Sequence, residues 1–201
     1  DFNADGRTDL AVGATGYSSG TGRVYLFYND GSLPTAATGA DVIITGETAG
    51  DHFGNSLAVG DFNFDGRIDL AVGAKDYSGF FGRAYIFYND GSIPTTAASA
   101  DVIISKSSGW FVGGSLAAGD FNADGRTDLA VGAEDGSFQD GHVYIFYNDG
   151  SIPTTTGTAD LTITGETTNN YFSYSLASGD FNTDGKTDLA IGAYRYGSYD
   201  G

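Results

Sequence analysis

Four stretches of this chain place oxygen-bearing side chains at fixed intervals. Asp1 to Ala14 reads DFNADGRTDLAVGA, and Asp120 to Ala133 repeats it letter for letter. Asp61 to Ala74 reads DFNFDGRIDLAVGA, and Asp180 to Ala193 reads DFNTDGKTDLAIGA. The side-chain oxygens belong to Asp1, Asn3, Asp5 and Asp9; Asp61, Asn63, Asp65 and Asp69; Asp120, Asn122, Asp124 and Asp128; and Asp180, Asn182, Asp184 and Asp188. Twelve of the 26 acidic residues sit in these loops. Left bare, three carboxylates and an amide oxygen so close together would repel. A hard cation removes that repulsion, and calcium takes six to eight oxygens in irregular geometry. Positions one, three and five can turn their oxygens inward while the chain curls, and glycine at position six permits the sharp turn. Position seven (Arg7, Arg67, Arg126, Lys186) would offer its backbone carbonyl with its cationic side chain outward, and position nine would close the shell. The pattern predicts up to four bound Ca²⁺ ions, stapling the fold rather than serving a ligand.

The start of each loop is like an EF-hand, but the end is not. An EF-hand needs Glu at position twelve and flanking helices. Here that position is Val12, Val72, Val131 or Ile191, inside an apolar run. Magnesium suits the loop less, because it prefers few carboxylates and several waters.

The elements that hold these loops repeat with them. The acidic motifs start at residues 1, 61, 120 and 180, a period of about 60. RVYLFYNDGSLPT from Arg23, RAYIFYNDGSIPT from Arg83 and HVYIFYNDGSIPT from His142 keep the same phase. So do ADVIIT, ADVIIS and ADLTIT from Ala40, Ala100 and Ala159, and SLAVG, SLAAG and SLASG from Ser56, Ser115 and Ser175. Such a fixed period marks a propeller, solenoid or array. Each period offers four strands: SLAxGDF, DLAVGA, VYxFY with its alternation of aliphatic and aromatic residues, and DVIIT. Asn-Asp-Gly after the third is a tight-turn signal. No helical pattern stands out. Four short strands per repeat is the blade of a β-propeller; the coils of a β-solenoid are usually much shorter. The expected fold is all-β, with antiparallel four-stranded blades, about 3.5 of them, in one repeat region over 1–201 (repeats 1–60, 61–119, 120–179 and a partial 180–201).

Composition agrees. The chain has 32 Gly, 13 Tyr and 14 Phe but only three Pro, which suits many short strands and tight turns. The formal charge of −17 opposes binding to nucleic acid and to anionic lipid, and no run is long enough to insert as a membrane helix. There is no Cys, hence no disulfide and no thiol nucleophile. His52 and His142 fall at different phases of the repeat, without a recurring Ser or Asp partner, so no enzyme is expected.

Taken together, the Phe53-Gly54 pair, the DxNxDGxxD loop and the Val72-Gly73-Ala74 ending resemble the FG-GAP repeat of integrin α-subunit propellers and related bacterial surface proteins. The resemblance covers essentially the whole chain. It departs at Val112-Gly113 and Phe172-Ser173, and Thr15, Lys75, Glu134 and Tyr194 stand where the family has its proline. It implies calcium in the hairpin between the first two strands of each blade, an extracellular or cell-surface setting, and recognition of protein or glycan on a surface or matrix. The alternative is a structural repeat protein that self-associates into a ring, filament or matrix. The chain opens after a first strand should have ended and stops before a third should begin. That suggests a fragment of a larger ring, a subunit of one, or part of a filament. Variable stretches between strands two and three, and before strand one, are candidate contact loops. Trp110, Tyr77 and Tyr171 are the aromatic residues singled out in them for ligand contact.

Overall fold

The computed structural model describes residues 1–106, 111–134, 140–167 and 170–195. Strands β1 (Leu10–Ala14), β2 (Arg23–Phe27) and β3 (Val42–Thr45) form the first sheet. β4 (Leu57–Gly60), β5 (Asp69–Ala74), β6 (Arg83–Phe87) and β7 (Val102–Ser105) form the second. β8 (Val112–Gly119), β9 (Asp128–Ala133), β10 (His142–Phe146) and β11 (Leu161–Thr164) form the third, and β12 (Phe172–Gly179) and β13 (Asp188–Ala193) the fourth. All pairings are antiparallel between consecutive strands, so each sheet is an up-and-down blade. The acidic loops therefore share one rim. The β5–β6 and β7–β8 connections, and their counterparts, share the other.

Alternation along the third strand of each blade has a direct packing cause. Blades stack face to face, so both faces of an interior strand are buried. In β6, Tyr85 and Phe87 pack against Val24, Leu26 and Ile44 of the preceding blade and against Phe53 of the loop entering their own. Ala84 and Ile86 face the other way, toward Val112, Leu116, Val131 and Phe146 of the next. The Phe53 and Tyr85 rings meet edge to face, with centroids 5.5 Å apart. Every residue of β5 and of β9 is buried, because a blade lies on each side. Small residues in DLAVGA allow that approach. A Cβ on Gly73 would collide with the carbonyl of Gly113 in the next blade, as one on Gly13 would with that of Gly54.

Two features depart from the sequence expectation. Single helical turns occur at Tyr17–Gly20 and Tyr77–Phe80, and 3-10 turns at Ala37–Gly39, Ala97–Ser99 and Thr156–Thr158. They are too short to leave a periodic signature. The Asn-Asp-Gly segment does not close a tight hairpin, since Phe27 and Val42 bound a long connection. Its asparagine is instead a side-chain bridge, described below.

The loop entering each blade needs a left-handed residue at the second position of the Phe-Gly pair. Gly54 has φ +89 and Gly113 has φ +80. In the last blade Ser173 occupies this place with φ 69. Its hydroxyl is buried and has no hydrogen-bond partner among the described residues. A left-handed non-glycine residue costs roughly 1–2 kcal/mol. Ser173→Gly should therefore stabilise the protein by about 1 kcal/mol, raising the melting temperature by roughly 2–4 °C. Gly113→Ser should lower it, because a Cβ there would also meet the Arg83 carbonyl. Calorimetry of both variants checks the pair; a fall in melting temperature for Ser173→Gly would refute the strain.

Candidate metal centres

Each acidic loop is ordered by its own side-chain oxygens. In the second loop, the Asp65 amide donates to Asp61 Oδ1 at 3.0 Å and to Asn63 Oδ1 at 3.0 Å. Gly66 N donates to Asp61 Oδ2 at 2.8 Å, and Arg67 N to Asp65 Oδ1 at 2.9 Å. The first, third and fourth loops repeat the pattern at Asp1, Asn3 and Asp5, at Asp120, Asn122 and Asp124, and at Asp180, Asn182 and Asp184. Two oxygens converging on one amide show that positions one and three face the same interior. The curl requires left-handed residues at positions four and six. Those are Ala4, Phe64, Ala123 and Thr183 with φ from 60 to 63, and Gly6, Gly66, Gly125 and Gly185 with φ from 82 to 88. Sequence reading identified the glycine, but not that position four shares its conformation.

Position nine does something different. Asp69 Oδ2 accepts from Phe62 N at 2.8 Å and Asp69 Oδ1 from Asn89 N at 2.8 Å. Asp9 and Asp128 accept the equivalent pairs from Phe2 and Asn29, and from Phe121 and Asn148. Asp188 accepts from Phe181 N at 2.9 Å. The carboxylate thus ties its own loop to the end of the third strand. Asp69 and Asp128 are fully buried. Burial pushes both carboxyls up, while the amides of Asn89 and Phe62, or of Asn148 and Phe121, pull them back. At Asp9 burial also pushes up, but the amides of Asn29, Phe2 and Asn3 prevail and hold it low.

The asparagine of Asn-Asp-Gly extends the tie across the seam. Asn89 Nδ2 donates to the Phe2 carbonyl of the preceding blade at 2.7 Å and to Ile68 O at 3.2 Å. Asn148 Nδ2 does the same with Phe62 O at 2.8 Å and Thr127 O at 3.2 Å. At position seven, Arg7 Nη1 donates to Asn29 O and Arg126 Nη1 to Asn148 O.

The donor set suits a hard cation. It contains only oxygens, and among the described residues no Lys or Arg forms an ion pair with these carboxylates. Among the described residues there is also no group of three or more His, Cys, Asp or Glu gathered as a metal site. The loop carboxylates lie on backbone amides, so any ion would draw on Asn oxygens and carbonyls as well. Of the aromatic candidates, Tyr77 is half-buried with the Arg83 guanidinium 3.6 Å above its ring. Tyr171 is half-buried against Tyr194, with centroids 4.9 Å apart. Trp110 lies outside the described residues.

Comparison with known proteins gives the lineage. The model of the FG-GAP-like repeat matches residues 1–72 and 120–191. Phosphatidylinositol-glycan-specific phospholipase D of Homo sapiens is 35% identical over 96% of this chain and 25% of its own length. Integrin alpha-PS2 of Drosophila melanogaster is 33% identical over 96% of the chain and 14% of its own length. Integrin alpha-7 of Rattus norvegicus is 37% identical over 76% of the chain. The chain thus spans a quarter or less of these relatives. The expectation of no enzyme is corrected by the phospholipase D relatives, which carry an enzyme's name, although the match covers at most a quarter of their length. The histidine phases speak only for this segment, and a repeat region carries no trace of chemistry done elsewhere in its protein. Four sheets of the expected strand order, the acidic hairpins and the matching repeat model place the chain in the FG-GAP repeat family.

Proposed function

We propose that the chain is a calcium-stapled recognition module of a larger extracellular protein, presenting one rim of its blades to a protein or glycan partner. The observation that carries this is the contrast between rims. One rim repeats a single acidic hairpin almost unchanged, whereas the opposite rim carries loops that differ in every blade, such as Thr15–Gly22 and Lys75–Gly82. A scaffold needs uniform joints; recognition needs differences. An attached enzymatic region, as the phospholipase D relatives carry in name, is part of the proposal.

Calcium would be held by the side chains of positions one, three and five and by the carbonyl of position seven. Position nine brackets the loop from beneath. Extracellular calcium modules bind at about 10⁻⁴–10⁻³ M. Ligand at a hundred times its dissociation constant adds about 2.7 kcal/mol per site to stability. Chelation should therefore lower the melting temperature by several degrees, and an unchanged melt would contradict the role. Two variants separate the parts. Asp124→Ala should lose one ion from the stoichiometry while costing the apo protein less than Asp128→Asn, because Asp124 is exposed and its bonds stay within the loop. Asp128→Asn should destabilise apo and loaded protein alike by about 1–3 kcal/mol, because an amide nitrogen would face a backbone donor. Identical behaviour of the two variants would contradict the division of labour.

Recognition is tested by presenting the calcium-loaded chain to arrays of extracellular proteins and glycans. Saturable binding lost on replacing Lys75–Gly82 by Thr15–Gly22 is expected. Binding that survives this exchange, or none to either class, would contradict the reading.

A further inference from the structure

Near the blade centres on the variable rim, two positions differ in every blade. One follows the second strand: Thr15, Lys75, Glu134 and Tyr194. The other precedes the conserved serine of the first: Asn55, Gly114 and Tyr174. In the second blade these positions close on each other. Asn55 Oδ1 accepts from Lys75 N at 2.9 Å, and Asn55 Nδ2 donates to the carbonyls of Gly113 at 3.1 Å and Gly114 at 2.8 Å. A carboxamide thus fills the notch between the second and third blades.

One blade further on, that side chain is missing. Gly114 stands where Asn55 stands, and Glu134 where Lys75 stands. What remains is a cavity of about 270 Å³ lined by Asn55, Lys75, Gly114, Glu134 and Tyr174. The Glu134 side chain is only 9% exposed, and its Oε1 lies 3.8 Å from Lys75 Nζ. Its Oε2 is buried, with no hydrogen-bond partner among the described residues. Leaving a buried acceptor unmatched costs about 1–3 kcal/mol, more when it is charged. Burial pushes the Glu134 carboxyl up, against the pull of Lys75. Tyr174, 52% exposed, lines the cavity too, with its ring centroid 4.5 Å from that of Tyr194.

We propose that this notch is a binding site for a primary carboxamide, the side chain of an asparagine or glutamine presented by a partner polypeptide. Its N–H would donate to the Glu134 carboxylate, and its carbonyl would accept from the Lys75 ammonium. The flat amide would lie beside the Tyr174 ring. A simple cation meets Lys75 and a simple anion meets Glu134, whereas an amide offers donor and acceptor side by side. The protein already places that group in the equivalent notch, as Asn55. The proposal rests on the recognition reading and names its chemistry.

The test is a two-dimensional NMR titration of the calcium-loaded chain with propionamide, then with N-acetyl-glutamine amide. Saturable shifts are expected at Gly114, Glu134 and Tyr174. A roughly millimolar dissociation constant suits so few non-hydrogen atoms. Gly114→Asn, which brings its own carboxamide, should abolish the shifts. A Cβ there lies 3.1 Å from Phe111 O and 3.7 Å from Glu134 Cγ, so the fold can take it with a small adjustment. Glu134→Gln, which exchanges the acceptor for a donor, should weaken binding at least tenfold and supplies the test should Gly114→Asn fail to fold. Propionate and propylammonium should each bind at least tenfold more weakly than propionamide. No saturable shift in protein with a normal melt would overturn the pocket while leaving the calcium reading intact. Equal binding by Glu134→Gln, or tighter binding of propylammonium, would overturn the amide assignment.

Discussion

A carboxylate removed from water must have both oxygens matched, and the blades are organised around this requirement. At Asp69 and Asp128 the matching groups are backbone amides from two separate segments, the start of the acidic loop and the end of the third strand. The residue that gives the second amide also sends its side chain to the preceding blade, through Asn89 to Phe2 O and Asn148 to Phe62 O. One buried charge thereby fixes hairpin, sheet end and seam. The apolar seams then set the spacing, with aromatic residues of one blade against aliphatic residues of its neighbour.

This arrangement divides the labour between the rims. On the acidic rim the same bonds recur in each blade, which is why the sequence there hardly varies. Joints that must match at every seam tolerate little change. On the opposite rim the loop side chains differ from blade to blade. Even the seam contacts diverge there. Glu47 accepts from Arg83 and from the Tyr85 hydroxyl, whereas at the next seam Lys106 donates to the Tyr144 hydroxyl.

The strands and acidic hairpins were legible because their causes are local and recur. Val-Tyr-x-Phe-Tyr alternates since each face meets a different neighbour, and Asp-Gly at positions five and six fits a left-handed turn. The role of Asn89 and Asn148 was hidden, because a carboxamide that reaches 86 or 87 residues back leaves no local signature. The same is true of Asp69. Its bonds to the Phe62 and Asn89 amides, the latter 20 residues on, leave no local signature either. The Gly114 notch was hidden for the opposite reason, since an absent side chain is visible only beside its filled counterpart at Asn55. The rise of the chain through β8 and β12 also carries a bulge, between Val112 and Ser115 and between Phe172 and Ser175, which alternation alone does not foretell.

The proposed calcium would organise the acidic rim, while the position-nine carboxylates hold the blades with or without it. Amide hydrogen exchange in calcium and in chelator tests it most directly. Calcium should slow exchange at Asp65, Gly66, Asp124 and Gly125 by about tenfold or more, leaving Phe62, Asn89 and Asn148 protected in both conditions. Equal exchange of the loop amides with and without calcium, or loss of protection at Asn89 and Asn148 on chelation, would contradict it.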